Sequence, residues 1–310
     1  MADSSSGKVA ERKRHSWLVG FLIRLVKEKP LGTVGGIITL LFLFAAIFAD
    51  FLAPYGINET NLADALLAPS ADYWLGTDNL GRDMLSRVIF GARVSVIVGL
   101  TASVIASTIN LITGAASAYF GGKFDLIMQR LVDITMSLPS LILMMIMVAA
   151  IGAGMWSVIL VLGVRWGISA SRIIRSAVIG IKENVYVTAA TAIGCSTPRI
   201  LIRHILPNIM PTVIVMFTMR LPAVILTEAA LSFLGFGIPP PFPSWGGMLS
   251  GSGRSYFYQA PWMAIWPGLA LATVVYGINM FGDAVRDLLD PRLRGGVGRY
   301  GVRAKKGAKK

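Results

Sequence analysis

Three ionisable side chains interrupt otherwise apolar runs: Arg165, Arg220 and Glu228. A charge at mid-membrane depth is costly, so it faces protein or a watery cavity and marks a pathway by default. An arginine so placed can line such a cavity and draw a carboxylate. The competing role is structural, either a salt bridge with Glu228 or a side chain snorkelling to the interface. Glu228 has no partner carboxylate in sequence, which suits a helix-packing or gate residue better than a catalytic acid. These three are the candidates for a translocation pathway.

Catalytic signatures are missing from the 310 residues. Gly122-Lys123 lacks the upstream glycine and the hydroxyl residue of a phosphate-binding loop. There is no His-Glu-x-x-His, and His15 and His204 come from contexts too different to build one site; no metal ligation is expected. No Gly-x-Ser-x-Gly elbow occurs. The lone Cys195 excludes an intramolecular disulfide and reads as an inert thiol. With no catalytic site expected, work against a gradient must draw on a membrane potential, a coupled ion or another subunit.

The elements that would hold these residues are membrane helices. The chain is 55% hydrophobic and 15% charged, where a soluble domain would be about a quarter charged. Crossing the hydrocarbon takes roughly 20 helical residues. Six runs qualify, at 33–53, 94–120, 126–151, 156–173, 209–235 and 264–285, giving an all-α polytopic membrane protein. The fourth is short and interrupted by Gly163 and Gly167. The first run is about twice the length of a signal peptide's apolar stretch, so an uncleaved span is expected.

Lysine and arginine collect on the cytoplasmic side. They crowd the N-terminal segment (Lys8, Arg12, Lys13, Arg14, Arg24, Lys27, Lys29) and the tail, from Arg286 to Lys310. Between spans four and five, Arg172, Arg175, Lys182, Arg199 and Arg203 face one acid, Glu183. The loop after span one holds Glu59, Asp64, Asp72, Asp78 and Asp83 against Arg82 and Arg87. Both termini are therefore expected inside. The implied organisation is an N-terminal cytoplasmic or interfacial segment at 1–32 and a membrane domain at 33–285. The domain has outer loops at 54–93 and 236–263 and an inner loop at 174–207; a basic tail follows at 286–310. This placement explains the net charge of +13 by topology and attraction to anionic lipid rather than nucleic acid.

The inner loop holds "VTAATAIGCSTPRILIRHILPN", residues 187–208. Ala189, Ala190 and Ala192 favour a short helix that Gly194 can cap. Pro198 can start a second helical stretch, and Pro207 marks re-entry into the membrane. About thirty residues is long for a connection with no task, yet local physics leaves an ordinary loop and a docking helix equally open.

The segment resembles the E-A-A loop of bacterial ABC-transporter permeases, roughly E-A-A-x3-G-x9-I-x-L-P. Ala189, Ala190, Gly194, Leu206 and Pro207 fall on that pattern in register, while Thr188 stands for the usual glutamate and His204 for isoleucine. "YWLGTDNLGRDMLSRVIFGARVSV" from Tyr73, "LTEAALSFLGFGIPPPFPSWGGML" from Leu226 and "NMFGDAVRDLLDPRLRG" from Asn279 resemble signatures of the dipeptide/oligopeptide/nickel permease family. The chain is similar to the second permease of the pair. The resemblance implies a type I ABC importer fold with a homologous partner permease, two cytoplasmic ATPases that bind ATP and magnesium, and an outer solute-binding protein. It also implies a coupling role for Thr188, Ala189, Ala190, Gly194, Arg199, Arg203, His204, Leu206 and Pro207. Peptide cargo carries the family's weight; glutathione, nickel complexes, opines and oligosaccharides are alternatives. A self-sufficient proton- or sodium-coupled transporter is the rival class, and it should show internal repeats and deep acids.

Lesser features complete the reading. Asp133 and Arg130 are expected to anchor their helix at the interface. Asn279, Asp283 and Arg286 share a helix face and suggest a polar network. Gly32-x-x-x-Gly36 and Gly163-x-x-x-Gly167 permit close helix contact. The proline run 239–243 with Trp245 reads as an outer loop, either touching a partner or serving as a cap. The 73–87 stretch reads as another partner contact, and 18–26 as an interfacial helix.

Overall fold

A computed structural model describes residues 17–289 of the chain. The basic residues up to Arg14, His15 and the tail from position 290 lie outside them. Among the described residues the fold is helical, with a single isolated bridge between Thr77 and Asp83.

An amphipathic helix α1 (Trp17–Glu28) precedes α2 (Pro30–Ile47). Leu25 of α1 is buried against Ala284 and Leu288, while Leu22, Ile23 and Val26 stay exposed. Pro30 starts α2 at a position where no backbone N–H is needed. A short α3 (Ala49–Leu52) follows, and α4 (Met84–Phe120) is a single helix of 37 residues capped by the Asp83 carboxylate on Ser86 N.

The expected third span does not run straight. Residues 122–151 form α5 (Gly122–Ser137) and α6 (Ser140–Ile151), bent by 96° between them. Pro139 forces Leu138 out of the helical region, to ψ 144°, and the turn cannot continue. The fourth span is likewise corrected. Its helix α7 (Met155–Lys182) has 28 residues and is unbroken at Gly163 and Gly167. These glycines are contact points: a Cβ on Gly163 would sit 2.6 Å from Ile105 Cγ2, and one on Gly167 2.7 Å from Ile109 Cβ. Gly114 answers from α4, where a Cβ would meet Ser171 O at 2.5 Å. Small residues thus let α4 and α7 approach backbone to backbone along their length.

Two short helices, α8 (Val185–Ala192) and α9 (Thr197–Ile200), lead into α10 (Leu206–Phe233). After a proline-rich loop come α11 (Trp245–Ser255) and α12 (Trp262–Leu289). Trp245 is not part of that loop. It opens α11, is buried, and donates its indole N–H to Val88 O at 3.0 Å. Helices α2 and α12 pack through Gly35 and Gly277: a Cβ on the first would lie 2.4 Å from Gly277 O. Among the described residues, five helical runs are long and apolar enough to cross a membrane, six counting the bent α5–α6 pair.

The segment after α3 folds onto its own chain. Trp262 Nε1 donates to Thr77 O at 3.0 Å, and Tyr55 stacks on Tyr73 with centroids 5.2 Å apart. The Tyr73 hydroxyl donates to Asp64 at 2.8 Å, and that carboxylate pushes the phenol pKa up to about 12. No network joins Asn279, Asp283 and Arg286: Asn279 bonds Val275 O, while Asp283 and Arg286 are exposed with no mutual ion pair among the described residues. The charge contact of this helix end is instead Lys29 with Asp287.

Candidate functional site

Asn184 separates α7 from α8. Its side-chain N–H group donates to Gly180 O and Ile181 O at 3.2 and 3.1 Å, closing the first helix, while its backbone turns extended to open the second. After two turns α8 ends in a Schellman arrangement. Gly194 adopts φ +80°, Gly194 N donates to Thr191 O at 3.0 Å, and Cys195 N donates to Ala190 O at 3.0 Å. A Cβ on Gly194 would touch nothing within 4 Å, so the glycine is needed for backbone conformation, not for space.

Pro198 sits in the first turn of α9, and the chain then widens into a π turn, Leu201–Ile205. Leu206 N reaches back to Leu201 O there. Pro207 explains the widening: it has no N–H to donate, and its ring would collide with the carbonyl four residues earlier in a regular α-helix. His204 lies on this turn with its ring 6.5 Å from that of Tyr186, tying the π turn to α8.

Burial sorts the candidate coupling residues into two sets. Ala190 points inward with Val187, into a cluster holding Ile174, Val178, Ile200, Ile205 and Ile209. Leu206 packs at its edge. Thr188, Ala189, Gly194, Arg199, Arg203 and Pro207 are exposed. The outer surface of α8 also carries Val185 and Ile193, 83% and 81% exposed. It is a small-residue ridge with an aliphatic side chain at each end, fixed from below by a packed core.

Beneath this ridge lies a polar brace that sequence reasoning missed. Arg175 of α7 grips Asp125 of α5 through Nε at 2.6 Å and Nη2 at 2.5 Å. Arg172 donates to Gln129 Oε1 at 3.1 Å and pairs with Asp133. Ser117 of α4 completes it, bonded to Asp125 and to Gln129. Lys182 Nζ donates to Tyr119 O at 2.8 Å, locking the end of α7 to the end of α4. The signal was the spacing of Asp125, Gln129 and Asp133, four residues apart on one helix face. Asp133 is therefore a helix-to-helix tie through Arg172 as well as a neighbour of Arg130 at 3.8 Å.

The three pathway candidates do not converge into one pair. Arg165 is 9% exposed and its Nε has no hydrogen-bond partner. Arg220 lies over the Trp166 ring, 5.8 Å from the centroid, and its Nη1 is also unpartnered. Trp166 follows Arg165 in sequence, so both arginines lie at the same stretch of the α7–α10 contact. Neither pairs with Glu228 among the described residues, which removes that salt bridge as the structural alternative. Glu228 is 1% exposed and accepts a hydrogen bond from Ser232 Oγ at 2.7 Å; Ser232 in turn accepts from Ile238 N at 3.2 Å. Glu228 thus sits beneath the turn that ends α10, with its second oxygen unpartnered.

Comparison with known proteins gives consistent findings. Residues 110–295 match the binding-protein-dependent transport system inner membrane component, and residues 19–69 match the N-terminal membrane domain of oligopeptide transport permease C. The oligopeptide transport system permease protein OppC of Bacillus subtilis is 37% identical over 93% of this chain and 93% of its own length. The dipeptide transport system permease protein DppC of the same organism is 38% identical over 87% of this chain and 84% of its own. The probable D,D-dipeptide permease protein DdpC of Escherichia coli is 35% identical over 95% and 99%. Among solved structures, a chain of the MetNI methionine ABC transporter in an inward-facing conformation superposes with a TM-score of 0.54 at 19% identity, over 67% of this chain and 98% of that one.

Proposed function

The chain belongs to the family of binding-protein-dependent transport inner membrane components, and from that premise we propose that it is one of two membrane subunits of an ATP-driven peptide importer. It is a multi-pass protein of the bacterial inner membrane. In this reading a homologous permease completes the pathway, two ATPases bind the inner face, and an outer solute-binding protein delivers the cargo. The termini and the α8 segment lie on the cytoplasmic side.

The observation that carries the reading is the α8 ridge. Its exposed small side chains admit close approach by another protein, and Val185 and Ile193 offer apolar contacts at its ends. Seated in a cleft of an ATPase, it would transmit ATP-driven closure through Val187 and Ala190 to α7 and α10, tilting the helices between inward- and outward-facing states. Thr188 contributes no charge to that contact, so shape and apolar area carry the docking. Arg165 and Arg220, with unsatisfied guanidinium nitrogens, would face the pathway and draw a carboxylate of the passing solute.

Co-purification tests the assignment. An affinity-tagged chain expressed from its native chromosome should bring down a second permease and ATPases, and the assembled complex should import peptides only with ATP. Recovery of ion-coupled uptake from this chain alone would reject the proposal.

A further inference from the structure

A cavity of about 500 Å³ opens at the end of the helices opposite to α8, between the start of α4, the end of α10 and α11. Asp78, Arg82 and Arg87 line one side; Ser232 and Ser244 line the other. The charges on its wall do not balance. Two guanidinium groups share a single carboxylate, which leaves one positive charge over.

The sharing is also unequal. Asp78 Oδ2 accepts from Arg82 Nε at 2.6 Å, and Oδ1 is taken by Leu80 N at 2.8 Å and Arg82 N at 3.0 Å. Arg87 stands 3.6 Å away, beyond hydrogen-bond reach, and its side chain makes no hydrogen bond among the described residues. It is only 8% exposed. A buried guanidinium without a full counter-charge is strongly disfavoured unless something else satisfies it. Asp83, the next acid, is committed to Ser86 through its N–H and hydroxyl, and Glu228 stands behind Ser232 rather than on the wall.

We infer that this cavity is a subsite for the carboxylate of a small solute, with Arg87 and Arg82 as its anchors. The inference rests on the peptide-import reading and deepens it: the free C-terminal carboxylate of a short peptide is the group recognised. The volume is within the range that holds small ligands. The Ser244 hydroxyl on the facing wall accepts from Gly247 N at 3.1 Å and lies beside the Glu228 carboxylate.

The test uses the complete transporter complex, with partner permease and ATPases but without the solute-binding protein, in neutral phosphatidylcholine nanodiscs. Its melting temperature is measured with dialanine, with dialanine amide, with inorganic phosphate, and in nanodiscs containing phosphatidylglycerol. Dialanine should stabilise the wild type and the amide should not, since only a ligand bound to the native state shifts the transition. Arg87→Gln should weaken the dialanine effect by about tenfold or more in apparent affinity. If Arg87→Gln prevents assembly, Arg82→Gln gives the same readout from a more accessible position.

Equal stabilisation by the amide, or an unchanged response in both variants, would overturn the subsite. Stabilisation by phosphate matching that by dialanine would overturn its assignment to solute, as would loss of the dialanine effect in phosphatidylglycerol, which would identify a lipid headgroup. ATP-driven uptake by the full system is measured in parallel. Peptide import by a wild type that shows no carboxylate preference refutes this subsite alone, whereas absence of peptide import refutes the function on which it rests.

Discussion

Arg175 and Asp125 meet in a two-pronged contact, Nε to one carboxylate oxygen at 2.6 Å and Nη2 to the other at 2.5 Å, across the gap between α7 and α5. Parallel hydrogen bonds of this kind fix orientation as well as distance. The contact fastens a bent helix pair to the helix that leads into α8.

Breaking that contact from one side should loosen the transmission. Arg175→Ala is expected to destabilise the chain by about 1–2 kcal/mol, reduced from the fully buried case because both side chains keep some water contact. The ratio of peptide imported to ATP hydrolysed should fall as well. The reversed pair, Arg175→Asp with Asp125→Arg, should recover part of both. Equal ratios in wild type and Arg175→Ala would show the brace to be irrelevant to coupling.

The turn that closes α8 requires a left-handed residue. Gly194→Val should raise the free energy of that turn by about 1–2 kcal/mol. Retention of the ATPase during purification should drop several-fold, while Gly194→Asn, which tolerates the conformation, stays near wild type. Undiminished ATPase retention by the valine variant would argue against a docking role for α8.

Glycines in the α4–α7 seam should differ by what they face. An alanine at Gly114 would press on the Ser171 carbonyl, which is backbone and cannot step aside. An alanine at Gly163 would instead crowd one side chain, Ile105 through Cγ2 at 2.6 Å and Cβ at 2.8 Å, with the nearest backbone atom, Ala102 O, at 3.4 Å. Overpacking costs about 1–3 kcal/mol, so Gly114→Ala should lie at the upper end and Gly163→Ala at the lower in detergent unfolding. The reverse order would refute the seam geometry.

Arg165 and Arg220 offer a direct separation of roles. Each carries an unpartnered nitrogen, so Arg220→Gln removes a poorly satisfied charge and should leave thermal stability unchanged or raised. Peptide uptake should nevertheless fall by roughly tenfold if a carboxylate is drawn past it. Lowered stability with normal uptake would assign the arginine to structure.

Sequence carried the architecture because its signal is thermodynamic and strong: roughly 20 apolar residues at a time have nowhere to go but lipid or core. It carried the α8 cap for a local reason, since alanines before a glycine specify the turn without tertiary help. It failed where local and global cues conflicted. Pro139 lies inside a run apolar enough to look continuous, and its effect on Leu138 outweighed the hydropathy. Gly163 and Gly167 carried two opposed cues, an interrupted span by propensity and a close helix contact by spacing, and the close contact is the one that decides. The brace on Asp125 and Asp133 was only half legible: the four-residue spacing put the acids on one face, but their partners come from a distant helix. The charges of Arg172 and Arg175 spoke first of topology.

At 37 residues α4 is about 55 Å long, nearly twice the hydrocarbon thickness. Arg87 rides on its first turn and Ser117 on its last, so one unbroken beam touches both ends of the molecule. A beam of that length rocking by about 10° about its middle carries each tip through roughly 5 Å. A stroke delivered at one face would thereby become an opposite displacement of equal size at the other, with no relay of side chains between them.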